Sequence, residues 1–287
     1  MNPPVTGSLS GATNSPLVIQ GFSPEEDCGK IDVLRYLPLD RFLSLLELEA
    51  MWFSRLGALR DKFECTNPEG ARAFVLKLAE DREAVEKCKS IGLWDHMMAT
   101  AEHGRTGDDG RNMFVVNCWF IGKSELVKMW KEYGDEGKGI AIRSTVGKLA
   151  TAFHIPGDFR LVSRVGRVDY VNFKSHNLGN RGNDVTKVAF IKDKADYAAE
   201  NEVRIVTPNN FHSGCLNPDG SQEGRPGSAV FCPDTKGFYI KCDLKGLIRS
   251  VIVGPNSQPH FRMLMKRIVA RYGLTIDVEH SQIAPWT

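Results

Sequence analysis

The sequence predicts a single domain of the α+β class, with a mixed, mostly antiparallel β-sheet core, either continuous or split, flanked by helices. Three observations predict this fold. Segments with the two-residue alternation of strands outnumber segments with helical periodicity, strands and helices follow one another without the regular order of βαβ units, and the chain contains no internal repeat. With 287 residues the chain is long enough to bury one large core.

The first 24 residues are expected to form a disordered tail, which leaves residues 25–287 for the domain. Met1 to Ser23 are rich in Ser, Thr, Gly, Pro and Asn, and the first charged residue is Glu25. A segment of this composition cannot bury enough apolar surface to offset the entropy lost on ordering. The same composition is compatible with the unfolded export signal of an injected bacterial effector.

The first elements of the domain are predicted from the spacing of apolar residues. Ile31 to Leu37 alternate as a strand, and Leu39 to Glu49 carry the apolar stripe of an amphipathic helix. Met51 to Ser54 form a short second strand, followed by a polar turn over Asp61 to Gly70. A charged helix is predicted over Ala71 to Ser90.

The best candidate for a buried central strand is Phe114 to Phe120, because its residues are almost continuously apolar. Ser124 is predicted to cap a helix that ends at Gly134. The later elements follow from the same patterns: strands at residues 139–142, 159–170, 201–206, 238–240, 247–253 and 275–278, a helix at 258–272, and long loops at 174–183 and 208–235.

Charge and hydropathy indicate a cytoplasmic protein with no general affinity for nucleic acid or membranes. The 37 basic and 35 acidic side chains nearly cancel, so no global charge signal for nucleic acid is present. No apolar run has the length needed to span a bilayer, and the N-terminus lacks the order of a secretory signal.

The cysteine pattern favours free thiols in a reducing compartment, because seven cysteines is an odd number and they are widely scattered. His212, Cys215, Cys232 and Cys242 are the only grouping that resembles a zinc site in composition. Their spacing matches no standard ligand set, so we predict no bound metal.

An acidic segment late in the chain is the strongest candidate for a site. If the chain is extended from residue 201, Glu200, Glu202 and Arg204 point to one face, and Val203 and Ile205 point to the other. Two carboxylates and a guanidinium on one face form either a solvated strand with a cross-strand ion pair or a functional site.

Several motifs, in order from about Ile31 to the C-terminus, resemble the bacterial family catalogued as domain of unknown function 2971. The matching motifs are Leu34-Arg35-Tyr36, Trp52-Phe53-Ser54, Asn117-Cys118-Trp119-Phe120, Ser124-Glu125 with Met129-Trp130 and Tyr133, Gly139-Ile140-Ala141-Ile142, the run of Lys194, Tyr197, Glu200, Glu202 and Arg204, and Leu247-Ile248 with Val251, Val253 and Pro255. Two positions depart from the family. Asp61-Lys62-Phe63-Glu64 stands where the family usually has Asn-Asp-Pro-Phe-Glu, and Phe120 stands where a His often follows Cys-Trp.

A second resemblance concerns the order of three functional positions. Arg35 on the first strand, Ser54 after an aromatic residue on the second, and the Glu200-x-Glu202 strand are similar in order to the Arg, Ser and Glu positions of NAD-dependent mono-ADP-ribosyltransferases. The resemblance implies an NAD-dependent transferase or NAD glycohydrolase of the toxin, effector or defence type. It also implies NAD as the substrate and a macromolecular acceptor.

The resemblance implies a role for each of these positions. Glu202 would stabilise the oxocarbenium-like species formed when the bond between nicotinamide and ribose breaks, and Glu200 would orient or deprotonate the acceptor. Arg35 would bind the pyrophosphate with a bidentate fork, and Ser54 would donate or accept a hydrogen bond. The other substrate-binding candidates are Tyr36, Trp119, Trp130, Tyr133, Lys194 and Arg204.

The same residues could also have purely structural roles, as ion pairs or as core residues. Arg35 and Glu202 could pair across adjacent strands, and Arg204 would anchor Glu200 or Glu202 under either interpretation. Trp119, Trp130 and Tyr133 could stack on a planar base, but buried tryptophans such as Trp119 and Trp130 are more often packed in a core.

Two other functions remain as alternatives. One is a metal-dependent phosphodiester hydrolase in which Glu64, Glu200 and Glu202 hold a divalent cation. The other is a non-catalytic protein or nucleic-acid interaction module, in which the two late carboxylates would face bulk water. The enzymatic hypothesis expects the acidic strand to lie beside the first strand, with its carboxylates facing a cavity large enough for a dinucleotide.

Overall fold

The computed structural model describes residues 16–286 apart from 62–63, 67, 91, 93, 96–97, 99–110, 112, 156, 177–184, 210–214, 217–229 and 235. It is an α+β fold, as predicted, with helices flanking a mixed sheet whose pairings are mostly antiparallel. Within this described part of the chain, no helix combines the length and the apolar character needed to cross a bilayer.

The strands are β1 Val18–Gln20, β2 Asp32–Leu37, β3 Ala50–Arg55, β4 Phe114–Ile121, β5 Ile140–Thr145, β6 Arg164–Arg167, β7 Asp169–Val171, β8 Ile191–Asp193, β9 Glu202–Pro208, β10 Cys215–Leu216, β11 Val230–Asp234, β12 Gly237–Lys241, β13 Ser250–Val253 and β14 Asp277–His280. The helices are α1 Leu39–Leu48, α2 Glu69–Leu78, α3 Arg82–Ser90, α4 Val127–Tyr133, α5 Val146–Thr151, α6 Gly157–Arg160, α7 Val185–Val188, α8 Lys194–Tyr197, α9 Leu244–Leu247 and α10 Pro259–Arg271. Short 3₁₀ turns cover Leu56–Ala58, Asp135–Gly137 and Ala198–Glu200.

The main sheet has 12 strands, and its longest path runs β10-β11-β12-β3-β4-β2-β5-β13-β14. Three further strands leave this path at β4, because β9 pairs with β4, β6 with β9, and β1 with β6. β7 and β8 form a separate parallel pair.

The sheet forks at β4. β9 occupies one edge of β4 from Phe114 to Phe120, so β2 and β3 must share the other edge. β3 pairs with β4 at residues 115 and 116, whereas β2 pairs with it at residues 120 and 121. The two strands therefore diverge around residues 117–119, and side chains supply hydrogen bonds there. Arg35 donates to the carbonyl oxygen of Cys118, and the Asn117 amide donates to the carbonyl oxygen of Trp52 at 2.7 Å.

The main core lies on one face of the sheet, under α1, α5 and α10. Alternate residues of the strands point into it, including Val33, Phe53 and Ile142. The helices contribute apolar side chains at the spacing predicted for amphipathic segments, among them Leu45 of α1 and Met265 of α10. Smaller apolar clusters on the opposite face surround Trp130 and Phe190.

Several predicted elements differ in detail from the structure. The helix predicted over residues 71–90 is two helices, because the Asp81 carboxylate accepts hydrogen bonds from the amides of Glu83 and Ala84 and caps the second one. The predicted cap at Ser124 is wrong, since α4 starts after Leu126 without a side-chain cap. The strand predicted at residues 159–170 is broken into α6, β6 and β7.

The predicted disordered tail is also too long at its C-terminal end. Leu17 is 2% exposed in the main core, and Val18–Gln20 pair in parallel with Arg164–Gly166. The apolar run from Leu17 to Ile19 is enough to add one strand to the free edge of β6. Residues 1–15 and much of the loops at 174–183 and 208–235 lie outside the described residues.

Candidate functional site

A buried cluster of ions lies beside β9, on the face opposite the main core. Glu202 and Arg204 come from β9, Glu200 from the preceding 3₁₀ turn, Lys192 from β8, and Glu64 from the loop before α2. Three carboxylates thus meet two cations, with side chains between 0% and 13% exposed.

Arg204 uses all five of its N–H donors within this cluster. Its Nε and Nη2 donate to the two carboxylate oxygens of Glu202, at 2.8 and 3.1 Å. Its Nη1 and Nη2 donate to both oxygens of Glu64, at 2.8 and 2.6 Å. The remaining Nη1 proton goes to the carbonyl oxygen of Ala189 at 2.7 Å. The prediction that Arg204 anchors a neighbouring glutamate is confirmed for Glu202, but the guanidinium has no donor left for a ligand.

Lys192 is the cluster member that the sequence did not predict. Its ammonium lies 2.6 Å from Glu200, 3.2 Å from Glu202 and 3.3 Å from Glu64. The predicted binding residue Lys194 is exposed instead, because it lies two residues later, at the start of α8. The available signal was the position of Lys192 directly after the apolar run Val188–Ile191, where a strand would turn it inward.

Glu200 joins the ion cluster although it does not lie on the strand on which the sequence predicts it. β9 begins at Glu202, and Asn201 adopts a left-handed conformation with φ of 38°. The Asn201 side chain donates to the carbonyl oxygen of Ile121 at 2.7 Å and fixes this turn against the end of β4. Glu200 therefore reaches Lys192 from a 3₁₀ turn and not as the next residue of a strand.

The cations keep Glu202 ionised in a buried position. Burial alone would raise the pKa of this carboxyl, but the charges of Arg204 and Lys192 outweigh burial and lower the pKa to about 2. The reciprocal effect raises the pKa of Arg204 and of Lys192 despite their burial. Burial, followed by the charge of Glu202, raises the pKa of the Cys118 thiol.

A small cleft of about 90 Å³ opens at the fork between β2 and β3. Its walls include Arg35 of β2, Arg41 of α1, Trp52 of β3 and Tyr239 of β12. The Arg41 guanidinium lies 5.1 Å from the centre of the Trp52 ring, and Trp52 meets Tyr239 edge to face at 5.2 Å. Two cations and two aromatic rings therefore line one recess.

Arg35 differs from Arg204 in its partners. Its Nη1 donates to the carbonyl oxygen of Cys118, and its buried Nε has no hydrogen-bond partner among the described residues. Burial lowers the pKa of Arg35, the Glu202 carboxylate opposes this shift, and Arg41 adds to it. The Glu202 carboxylate therefore acts on Arg35 through its charge and not through a direct contact.

The expected pairing of Arg35 with Glu202 across adjacent strands is wrong, because β4 separates β2 from β9. The expectation that the acidic strand lies beside the first strand is wrong for the same reason. The carboxylates of Glu200 and Glu202 do turn inward, but they meet Lys192 and Arg204 instead of a hollow.

No protein-family model, curated protein or solved structure matches this chain. The resemblances to domain of unknown function 2971 and to mono-ADP-ribosyltransferases therefore rest on the residues quoted above.

The predicted aromatic residues divide between the core and the surface. Trp119 and Trp130 are 1% and 0% exposed, with their indole N–H groups bonded to Asn117 and Glu125, so neither ring offers a face for stacking. Tyr36 packs edge to face on Trp130 at 4.9 Å. Tyr133 is 41% exposed, which leaves it accessible to a ligand.

Ser54 orients Trp52, one of the side chains that line the cleft. Its hydroxyl oxygen accepts a hydrogen bond of 2.9 Å from the indole nitrogen of Trp52, two residues earlier on the same face of β3. Ser54 thereby fixes the orientation of the Trp52 ring. Asn117, for which the sequence predicts no role, supports the same strand by donating to the Trp52 carbonyl oxygen. A buried Asn inside the apolar run of β4 was the signal for it.

The geometry bears on the two alternative functions. Glu64, Glu200 and Glu202 do converge, but Lys192 and Arg204 occupy the space between them, and no described group of His, Cys, Asp or Glu residues is arranged to hold a metal. In a non-catalytic module, Glu200 and Glu202 were expected to face bulk water. Their side chains are instead 13% and 6% exposed.

Proposed function

We propose that this chain is an NAD-cleaving enzyme, a mono-ADP-ribosyltransferase or NAD glycohydrolase, that binds the phosphates of the dinucleotide at the fork between β2 and β3. The carrying observation is the state of Arg35. A half-buried arginine whose buried Nε has no partner, and which contacts no carboxylate among the described residues, is costly to the fold, and such costs are typical of functional positions.

The surroundings of Arg35 favour an anionic ligand with a planar ring. Arg41 supplies a second guanidinium at the mouth of the cleft, and the planar fork of a guanidinium matches the geometry of a phosphate. Trp52 and Tyr239 supply aromatic surface beside them. A recess of about 90 Å³ holds one phosphate group, so the rest of the dinucleotide would lie along the outer surface.

Glu202 would stabilise positive charge in the reaction as part of the ion cluster, whose three carboxylates and two cations leave a net charge of about −1. Cleavage breaks the bond between C1′ of the ribose and the nicotinamide nitrogen, the electron pair leaves with nicotinamide, and positive charge develops on the ribose. A carboxylate with a pKa of about 2 is fully ionised at neutral pH. Lys192 and Arg204 act as positioning residues, since they hold this carboxylate in one orientation.

Glu200 is the more accessible of the two carboxylates. Lys192 holds its Oε2 at 2.6 Å, while its side chain is 13% exposed, compared with 6% for Glu202. This position suits contact with an acceptor that approaches from solvent. Water in that position would give NAD hydrolysis, and a nucleophilic side chain or base would give ADP-ribosyl transfer.

The test is release of nicotinamide from NAD, measured with and without bacterial or host lysate as a source of acceptor. We expect release by wild type and a loss of at least about 100-fold in Glu202→Gln, because the developing charge loses its counterion. Arg35→Met should raise the KM for NAD. Arg262→Met removes an exposed arginine remote from the cleft, so it should change neither the KM for NAD nor the rate of nicotinamide release. Absence of nicotinamide release under every condition would refute the proposal.

A further inference from the structure

A second and larger cleft, of about 610 Å³, lies between the end of α4 and the C-terminal segment. This volume is within the range of small-molecule sites. Its lining includes Lys131, Glu136, Lys138, Asn256, Ser257 and Trp286. None of these residues belongs to the ion cluster or to the fork at β4, so the cleft is separate from the proposed active site.

Trp286 is fixed as one wall of this cleft. Its backbone N–H donates to the Asn256 side-chain oxygen at 2.9 Å, and the Asn256 amide donates to the carbonyl oxygen of Glu136 at 2.7 Å. The ring lies against Gly137, where an added Cβ would come within 2.9 Å of two ring atoms. Trp286 is only half-buried, so part of its ring stays available to a ligand.

The backbone under this ring is strained. Asp135, Glu136 and Gly137 have consecutive positive φ values of 50°, 51° and 81°, a conformation that only glycine adopts freely. The Gly137 carbonyl oxygen accepts a hydrogen bond of 2.8 Å from the backbone N–H of Asn256, which holds the turn in place. Strain of this kind persists where the surrounding structure overrides local preference, and it clusters at ligand sites.

The cleft has an excess of positive charge. Lys131 and Lys138 are exposed, and among the described residues neither ammonium has a carboxylate within ion-pair distance. The Lys131 ammonium lies 5.7 Å from the centre of the Trp286 ring. Glu136 is the one acidic residue of the lining, so the cleft carries a net charge of about +1 and attracts small anions.

We infer that this cleft binds a nucleoside monophosphate, with the base against Trp286 and the phosphate between Lys131 and Lys138. A ring face and two unpaired cations suit a ligand that joins a planar aromatic group to an anion. Inorganic phosphate would use the lysines alone. A nucleic-acid strand would need a longer basic surface than two lysines provide.

The experiment is calorimetric titration of the full chain with AMP, GMP, UMP and inorganic phosphate at low ionic strength. We expect saturable binding of at least one mononucleotide, tighter than that of phosphate. K131Q/K138Q should weaken it roughly tenfold, because two exposed ion pairs are lost. The matched double variant K245Q/K266Q removes two exposed lysines elsewhere and should leave the affinity unchanged. Trp286→Leu should abolish the preference over inorganic phosphate.

Three results would overturn the inference. The first is no binding of any of the three mononucleotides, and the second is equal binding by wild type and K131Q/K138Q. The third is wild-type affinity for inorganic phosphate equal to that for the mononucleotides. Arg35→Met separates the two clefts, since loss of binding in that variant alone would place the nucleotide at the fork of β4 and not beside Trp286.

Discussion

The Arg204 guanidinium holds the Glu64 carboxylate through two parallel hydrogen bonds of 2.8 and 2.6 Å, although the residues are 140 positions apart in the chain. Both side chains are fully buried. Such a bidentate pair is the strongest geometry available to these two groups. It fixes the loop before α2 to β9 and so defines one wall of the ion cluster.

Removal of Arg204 should destabilise the protein strongly. Arg204→Met leaves the carboxylates of Glu64 and Glu202 buried, with Lys192 as their only cation in the described part of the chain. We expect a loss of about 3–5 kcal/mol in the free energy of unfolding. Urea denaturation at neutral pH measures it. Arg262→Met is the matched control because Arg262 is exposed, and it should stay within about 0.5 kcal/mol of wild type. A small effect of Arg204→Met would mean that the cluster is not a stabilising element.

The Glu202 carboxyl should make stability fall in acid. Its pKa is about 2 in the folded protein, against an ordinary value of 4.5, so its stabilisation is complete above about pH 4.5 and is lost as the pH falls towards 2. The shift corresponds to at most about 3 kcal/mol. Urea unfolding at several pH values between 3 and 7 measures it. Glu202→Gln should flatten the acid dependence, whereas Glu132→Gln at an exposed position should not. Parallel pH profiles for wild type and Glu202→Gln would contradict the pKa assignment.

Substitution of Arg35 should affect the free energy of unfolding far less than substitution of Arg204. Because its Nε is buried without a partner and it contacts no carboxylate, Arg35→Met should change the free energy of unfolding by less than about 1 kcal/mol, or increase it. Urea denaturation of Arg35→Met and Arg204→Met side by side measures the contrast. Equal destabilisation by the two substitutions would make Arg35 a structural residue and would remove the main support for a phosphate site at the fork.

Gly237 should tolerate no side chain. A Cβ at this position would overlap the Phe53 carbonyl oxygen and the Trp52 ring, at the point where β12 pairs with β3. We expect Gly237→Ala to cost about 1–3 kcal/mol and to disturb the wall of the cleft that Trp52 forms. Thermal unfolding and tryptophan fluorescence measure the two effects. Gly246→Ala in α9 is the control, since its Cβ would meet only the Asp243 side chain, which can move. No change in stability for Gly237→Ala would contradict the close approach of β12 to β3.

The sequence predicts local elements well and their partners poorly. Strands such as β2 and β4 follow from alternation and apolar runs that lie within a few residues. The position of β9 between β4 and β6 depends on pairings with segments about 40 and 90 residues away, which no local pattern encodes. For the same reason the charged face of β9 was visible in the sequence, whereas its contacts with Glu64 and Lys192 were not.

The fork at β4 illustrates a second limit. Arg35 and Ser54 were identified by residue type and order, yet the sequence did not show that β2 and β3 share one edge of β4. Divergence of two strands is a property of register, and register is set by the whole sheet. The roles of Asn117 and Trp52 at the fork follow from that divergence.

The ion cluster has a consequence for how long the folded chain survives. Glu64 is 140 positions from Arg204 in the chain, so its contacts with Arg204 and Lys192 form only after the large loop between them has closed. Interactions that are absent from the folding transition state act on the rate of unfolding. Substitutions at Glu64, Lys192 or Arg204 should therefore shorten the half-life of the native protein and leave the rate of refolding almost unchanged.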